Sequence, residues 1–251
     1  MTSAARIGYQ NLLESGTVTA SSENASYPVE NAYDWLTSDY FRPAAGGTVN
    51  IDLTLGSAAP ADYFAFFSQD LPSVSGTIKL QYWDGSAYQD CFSAITPTDN
   101  TPQMVSFTSQ SSTKWRVVVT SSGVFNIGCI SFGAQLVLER GMYIGWTPPT
   151  FGRATKLINS VSDGGSFLGR SVLVSGIRSS IEIRYASDSW MRTNWLDFVR
   201  HAETKPFFFV PDIASHPTEC VFAYSDGDIP VPTQTAYGFM GVTVPIAGMV
   251  E

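Results

Sequence analysis

The pattern of hydrophobic and polar residues in the first 140 positions is that of many short β-strands. Runs rich in β-branched and aromatic residues are separated by clusters of Gly, Pro, Ser and Asn. The predicted strands are Val49–Leu53, Tyr63–Ser68, Thr77–Trp83, Val105–Thr108, Lys114–Thr120 and Phe125–Leu138. Asp84 and Gly85 predict a tight hairpin turn, because this dipeptide accepts the positive φ angles that such turns need. Strands of this length and spacing are typical of a β-sandwich or jelly roll.

Residues 187–212 carry the one helical pattern in the chain. Apolar residues recur there every three or four positions, which places them on one face of a helix. They are Met191, Trp195, Phe198, Val199 and Ala202. Ser187 or Asp188 can cap the first turn, and Pro206 ends the pattern because proline has no N–H to donate. We therefore predict a helix at about residues 188–203.

The apolar run after this helix predicts a strand that is buried on both faces. Phe207–Val210 contains no polar residue and lies between two prolines. The predicted structural core of the helix and this strand is Trp195, Phe198, Phe207, Phe208 and Phe209. Glycines and paired prolines at residues 141–152 interrupt the sheet pattern. The sequence thus predicts two domains, a β-sandwich at residues 1–141 and a smaller β domain with the packed helix at residues 142–251.

Composition restricts the classes of partner. Hydrophobic residues make up 44% of the chain and charged residues only 14%, which argues against disorder and indicates a surface that partners cover. The net charge of −8 disfavours binding to nucleic acid. The N-terminus lacks the features of a signal peptide, and no apolar run is long enough to span a bilayer. We therefore expect a chain that folds in a cytoplasm and does not insert into membranes.

The sequence lacks the short motifs that organise catalytic, cofactor and metal sites. It contains no Gly-x-Ser-x-Gly, no phosphate-binding glycine loop, no His-Glu-x-x-His and no Cys-x-x-Cys. His201 falls in the last turn of the predicted helix, where it can cap free carbonyls. Asp226 and Asp228 flank a glycine and indicate a turn. The prediction is a protein that is not an enzyme, with no cofactor and no metal, although a spatially assembled glycosidase carboxylate pair stays open.

Six segments between residues 10 and 140 form a recognisable series. They are Asn11-Leu12-Leu13, Val29-Glu30-Asn31-Ala32-Tyr33-Asp34, Tyr40-Phe41-Arg42, Val49-Asn50-Ile51-Asp52-Leu53, Trp83-Asp84-Gly85 and Trp115-Arg116-Val117-Val118-Val119. This series resembles the discoidin-like, galactose-binding-like β-sandwich family, whose loops at one end of the sandwich hold sugars or lipid headgroups. The resemblance implies that Trp35, Tyr40 and Arg42 are ligand candidates, since an aromatic face packs on a sugar ring and Arg donates to hydroxyls. The alternative is that these residues pack the loops or meet a neighbouring subunit.

Four segments of the second half form a pattern of a helix beside a sheet. They are Phe167–Arg170, Asn194–Ala202, Lys205–Phe209 and Tyr224–Pro230. They resemble the distal tail and baseplate proteins of long-tailed bacteriophages. The resemblance implies a ring or sheath around the tail axis that joins tube to baseplate, with added sandwich domains facing the host.

Two functions therefore stay open. The first is a structural component of a phage tail tip, made in the host cytoplasm and located in the virion tail. It would assemble as a symmetric oligomer, a trimer or hexamer, and contact tail-tube and hub or baseplate proteins. The alternative is an adhesin that recognises a glycan of the bacterial host surface through Trp35, Tyr40 and Arg42.

Overall fold

Strands account for most of the regular structure. The computed structural model describes residues 5–142, 147–148 and 151–249. Its strands are β1 (Arg6–Gly8), β2 (Thr17–Ala20), β3 (Gly47–Gln69), β4 (Thr77–Trp83), β5 (Tyr88–Asp90), β6 (Gln103–Ser121), β7 (Ile127–Gly133), β8 (Leu136–Val137), β9 (Arg153–Val161), β10 (Phe167–Ser187), β11 (Phe207–Val210), β12 (Val221–Ser225), β13 (Thr233–Ala236) and β14 (Phe239–Met249). Helix α1 comprises Asp188–Trp190, a π-helical turn at Met191–Trp195, and Leu196–Ala202. The predicted class, mainly β with a sandwich and one packed helix, is confirmed.

Strands β2 to β7 form the sandwich. Its two longest strands, β3 and β6, each pass from one layer to the other. The start of β3 pairs with the end of β6 in a layer that also contains β2, β4 and β5. The end of β3 pairs with the start of β6 and with β7. Apolar side chains of both layers meet in one core: Ile51, Leu53, Phe64, Phe66, Ile78, Trp115, Val117, Ile130 and Phe132.

Two strand predictions need correction. The segments predicted separately within β3, and likewise those within β6, belong to one continuous strand each. The ladder between β3 and β6 shifts register between Thr54 and Ala59 and between Ala61 and Tyr63, and such bulges bend a strand without ending it. The predicted strand Phe125–Leu138 is instead two strands, β7 and β8, which pair in different sheets.

The predicted hairpin joins β4 to β5. Trp83 pairs with Tyr88, and the Asp84 carboxylate accepts hydrogen bonds from the backbone N–H groups of Ser86 and Ala87. These bonds hold the pKa of Asp84 well below its usual range, because each one stabilises the ionised carboxylate. Gly85 adopts a φ of +107°, a value that few other residues tolerate.

The second sheet has the strand order β8-β1-β11-β12-β14-β10-β9, with β13 paired to β14. Helix α1 packs on this sheet through Trp195 and Phe198, and the Phe198 ring meets the Phe207 ring edge to face at 5.0 Å. The Ser187 side chain caps the helix by accepting a hydrogen bond from the Trp190 backbone N–H. Each of the five aromatic residues predicted as core is buried.

The second sheet includes β1, which precedes the sandwich strands in the chain, and β8, which follows them. β1 pairs with β11 on one side and with β8 on the other. The sheet therefore contains residues from both sides of the predicted division at residue 141, and that division stays a prediction. Residues 143–146 and 149–150 of the predicted boundary segment lie outside the described residues.

A third apolar cluster joins the two sheets. From the sandwich it takes Trp35, Tyr63, Ala65, Phe67, Met104 and Cys129, and from the second sheet Phe208, Val210, Cys220 and Phe222. Residues 63 to 67 alternate along β3, so that Phe64 and Phe66 point into the sandwich core while Tyr63, Ala65 and Phe67 point to the second sheet. One layer of the sandwich is thus covered on both faces, and the two parts of the chain share a core.

Candidate functional site

An aromatic and cationic cluster lies on the long connection between β2 and β3. The rings of Tyr27 and Tyr40 stack with their centroids 4.9 Å apart and their planes inclined by 10°. The Arg42 guanidinium carbon lies 4.7 Å from the centroid of Tyr27 and 5.2 Å from that of Tyr40. Backbone pairing explains the arrangement, because Arg42 N–H donates to the Tyr27 carbonyl and Asn24 N–H donates to the Arg42 carbonyl. We refer to Tyr27, Tyr40 and Arg42 as the loop cluster.

A chain of hydrogen bonds orients the guanidinium of Arg42. Its Nε donates to Asn126 Oδ1 at 2.7 Å, and one terminal nitrogen lies 3.4 Å from the Tyr40 hydroxyl. Asn126 is held in turn by Asp70, which accepts from the Asn126 backbone N–H at 2.7 Å and from its Nδ2 at 2.6 Å. An Arg side chain has five N–H donors, so these contacts leave donors for a bound molecule.

The phenol of Tyr40 stays neutral within the loop cluster. A hydrogen bond with Tyr27 raises the pKa of Tyr40, and burial adds to this effect, whereas the positive charge of Arg42 opposes it. The Tyr40 hydroxyl is therefore protonated at neutral pH and can donate as well as accept. All three side chains of the cluster are half-buried, so that part of each is open to solvent. A partly exposed aromatic pair beside fixed hydrogen-bond donors suits a ligand with both an apolar face and hydroxyl groups, as a sugar ring has.

Trp35, the third candidate from the sequence, lies elsewhere. It is only 4% exposed, and its ring packs against the second sheet, 6.3 Å from Phe208 and 6.4 Å from Phe222 between centroids. Its indole N–H donates to the carboxylate of Glu14. Because no ring face is open, Trp35 cannot serve as a platform for a sugar, and this part of the site prediction is corrected. The structure brings Tyr40 and Arg42 together and separates Trp35 from them.

The surroundings of Trp35 form a polar junction between the sandwich and helix α1. Glu14 accepts from the Trp35 indole and from Lys205 Nζ at 2.5 Å. The His201 ring lies 5.1 Å from Trp35, and its Nε2 lies 2.7 Å from the Pro206 carbonyl oxygen, to which it donates in the matching tautomer. Burial lowers the pKa of His201, so the ring is neutral at neutral pH. We refer to Glu14, Trp35, His201 and Lys205 as the junction.

Three residues that matter to these sites gave no local signal in the sequence. Tyr27 could have been suspected only as an aromatic residue before a proline in a polar loop. Asn126 lies 84 positions from Arg42, and Asp70 lies 56 positions from Asn126, so their roles depend on the tertiary fold.

Other groups in the described chain offer no evident reactive centre. Burial raises the pKa of the Cys91 thiol to about 12, and it also raises the pKa values of Cys129 and Cys220. All three cysteines are free thiols. Among the described residues, no group of three or more His, Cys, Asp or Glu side chains is placed to hold a metal ion. Helices of the described segments all fall short of the length and hydropathy that crossing a membrane requires.

A two-stranded extension of the second sheet exposes most of its apolar side chains. We refer to residues 153–172, which comprise β9, the turn and the start of β10, as the arm. The exposed apolar residues of the arm are Leu157, Ile158, Val161, Phe167, Leu168 and Val172. β9 is an edge strand of the sheet, and Arg170 donates across the arm to Asn159. No pattern in the sequence had indicated this exposure.

No protein-family model matches the chain, and the search of curated proteins finds no match. Solved structures similar to part of it include a pectin-binding carbohydrate-binding module, with 16% identity and a TM-score of 0.41 over 47% of this chain and 89% of that one. A family 32 carbohydrate-binding module from Clostridium perfringens, in complex with GalNAc-β-1,3-galactose, matches at 17% identity and TM-score 0.41, covering 47% of this chain and 94% of its own. Chitosan-binding module 2 of a Paenibacillus chitosanase/glucanase, in complex with chitotriose, matches at 15% identity and TM-score 0.42 over 49% of this chain and its full length.

Proposed function

We propose that this protein binds glycans, and that the loop cluster is the binding site. The observation that carries the proposal is the position of Arg42, which lies beside two stacked tyrosine rings and is held there by Asn126 and Asp70. The exposed parts of the rings supply an apolar surface for the C–H face of a sugar, and Arg42 supplies donors for its hydroxyl oxygens. Because Asn126 fixes Arg42 before a ligand arrives, little side-chain entropy is lost on binding.

A glycan array tests this function. The wild-type protein is expected to give signals on a limited set of glycans, and Arg42→Ala and Tyr40→Ala are each expected to abolish them. Arg200→Ala and Tyr237→Ala are matched controls, because they remove an exposed Arg of α1 and an exposed Tyr of the turn between β13 and β14. An array that stays blank at high protein concentration contradicts the proposal. So do signals that survive both loop-cluster variants.

A second function, a structural component of a bacteriophage tail tip, is favoured by the arm. An apolar surface of this kind on a protein generally marks an interface, so the exposed apolar side chains of the arm indicate contact with a partner. We propose that the chain in this role is located in the virion tail and contacts tail-tube and hub or baseplate proteins. The resemblance of residues 167–230 to distal tail proteins supports this candidate. The two functions are compatible, since an adhesin can be part of a tail tip.

Immunoelectron microscopy tests the second function. An antibody against this chain is expected to label phage-like particles at one end of the tail, and pre-incubation with the purified protein is expected to remove the label. Particles from the producing culture that carry no label, although the antibody detects the chain in the cell lysate, contradict the virion location.

A further inference from the structure

The arm presents apolar side chains that its own chain does not cover. Phe167 and Leu168, at the start of β10, are 64% and 67% exposed. Burying such side chains away from water is favourable, so an exposed pair near the end of a hairpin is a favourable contact point. We refer to Phe167 and Leu168 as the arm tip.

An apolar groove lies on the same chain beside helix α1. It has a volume of about 670 Å³, which is in the range of pockets that bind ligands. It is lined mainly by Met191, Trp195, Leu196, Val199, Ile229 and Val231. Trp195 is buried beneath it, whereas Leu196 and Val231 are 53% and 80% exposed at its edges. We refer to this feature as the helix groove.

The arm and the segments around the groove carry opposite net charges, while the lining of the groove itself contains one basic and one acidic side chain, Arg192 and Glu203. The arm contains Arg153, Lys156 and Arg170 against Asp163, a net charge of +2. The segments around the groove, residues 188–203 and 225–232, contain five acidic side chains and two basic ones, and Arg178, which pairs with Asp226 at 3.6 Å, adds a third positive charge and leaves a net charge of −2 there. The acidic residues are Asp188, Asp197, Glu203, Asp226 and Asp228, and the basic ones are Arg192 and Arg200. Opposite potentials of this kind steer two surfaces together.

The arm tip lies far along the chain from the helix groove of its own subunit. Strand β10 runs from Phe167 to Ser187, where α1 begins, and at roughly 3.3 Å per residue this strand is about 65 Å long. The arm tip needs a partner with an apolar groove and acidic surroundings. A second copy of this chain offers both. A contact between two different surfaces of identical subunits is heterologous, and repeated contacts of this type close into rings or extend into filaments.

We propose that the arm tip of one copy docks in the helix groove of the next copy. The side chains of Phe167 and Leu168 fill the apolar groove between Leu196 and Val231, and the basic strands of the arm lie along its acidic surroundings. This inference deepens the second candidate function, on which it rests, and is independent of glycan binding by the loop cluster.

Complementation between two variants tests the docking. The arm variant carries Phe167→Ser with Leu168→Ser, and the groove variant carries Leu196→Lys with Val231→Lys. All four positions are exposed, so the fold is expected to persist.

By native mass spectrometry and sedimentation, the wild type is expected to form oligomers that grow with concentration, and each variant is expected to associate at least tenfold more weakly. An equimolar mixture of the two variants is expected to form 1:1 heterodimers, because one intact arm tip and one intact groove remain. Val124→Lys, an exposed apolar position on the sandwich, is the control and is expected to oligomerise as the wild type does.

Three outcomes would overturn the inference. They are a wild type that stays monomeric at high concentration, oligomers that persist in either variant, and a mixture that fails to form heterodimers. Glycan binding of the same proteins is measured in parallel. If the protein stays monomeric but still binds glycans, this inference fails while the glycan-binding function stands. If the antibody labels virions but the wild type is monomeric, this inference fails while the tail-tip function stands.

Discussion

Tyr27 and Tyr40 stack almost in parallel, with 4.9 Å between ring centroids, although they lie in different parts of the connection between β2 and β3. The contact closes the loop on itself and holds both rings beside Arg42. A loop that is fixed before binding needs no reordering when a ligand arrives. This relationship between two side chains is the structural basis of the proposed glycan site.

Replacement of Arg42 by Lys is expected to weaken glycan binding tenfold or more. A lysine keeps the charge but loses the planar fork of donors that contacts Asn126 and the Tyr40 hydroxyl. Titration calorimetry with a glycan selected on the array measures the change, and Arg200→Lys on the exposed face of α1 is the control. Equal affinity of Arg42→Lys and the wild type would show that the guanidinium geometry has no role.

Replacement of Trp195 by Ala is expected to destabilise the fold by roughly 3–5 kcal/mol, as the loss of a buried aromatic side chain does. Trp195 is buried and packs on Phe198 at 5.0 Å between ring centroids. The neighbouring Leu196 is half exposed, so Leu196→Ala is the matched control and is expected to cost less than about 1 kcal/mol. Urea unfolding followed by circular dichroism gives both values. Equal stability of the two variants would contradict the packing of the helix.

Replacement of Glu14 by Ala is expected to weaken the junction. The buried indole N–H of Trp35 would lose its acceptor, which costs roughly 1–3 kcal/mol. The ion pair with Lys205 is partly exposed and adds only about 0–1 kcal/mol. Lys205→Ala is the informative comparison, because it removes the ion pair and keeps the acceptor of Trp35. If unfolding in urea shows Lys205→Ala to be as destabilised as Glu14→Ala, the indole hydrogen bond is not the main contribution.

The stability of the protein is expected to fall as the pH drops below about 6.5, and His201 is expected to cause part of this loss. Burial lowers the pKa of His201 in the folded state below its ordinary value of 6.5. Below that value the unfolded chain binds a proton that the folded chain does not, so acid favours unfolding, and the loss levels off below the folded pKa. Glu14 and Lys205 also face the ring, with opposing effects on its pKa. The free energy of unfolding at pH 7.5 and 5.5 is the measurement. His201→Gln should reduce the difference between the two values, and an unchanged difference would exclude His201 as a source.

The sequence predicted local features well where a single segment determines them. The spacing from Met191 to Ala202 predicted α1 almost to the residue, since an amphipathic period, a capping serine and a proline stop are all local. The hairpin at Asp84 is local too. By contrast, β3 continues past Gly56 and through Pro60, residues that alone favour a turn, because it pairs with β6 on both sides of the register shift between Thr54 and Ala59.

Distant contacts explain what the sequence did not reveal about the site. Trp35 is an aromatic residue in a loop, as many ligand-binding residues are, yet the second sheet covers it. No local sequence pattern predicts that contact. Tyr27 becomes part of the loop cluster because the chain returns to it at Tyr40 and Arg42. The pairing of β1 with β11 likewise brings together residues about 200 positions apart in the chain.

The most direct test of the proposed function is to map where a glycan binds. In NMR spectra of the labelled protein, an array-selected glycan is expected to shift the signals of Tyr27, Tyr40, Arg42 and Asn126. The signals of Trp83 and Tyr88, a half-buried aromatic pair of the β4–β5 hairpin, are expected to stay in place. Shifts that centre on Trp83 and Tyr88, with the loop cluster unchanged, would contradict the account.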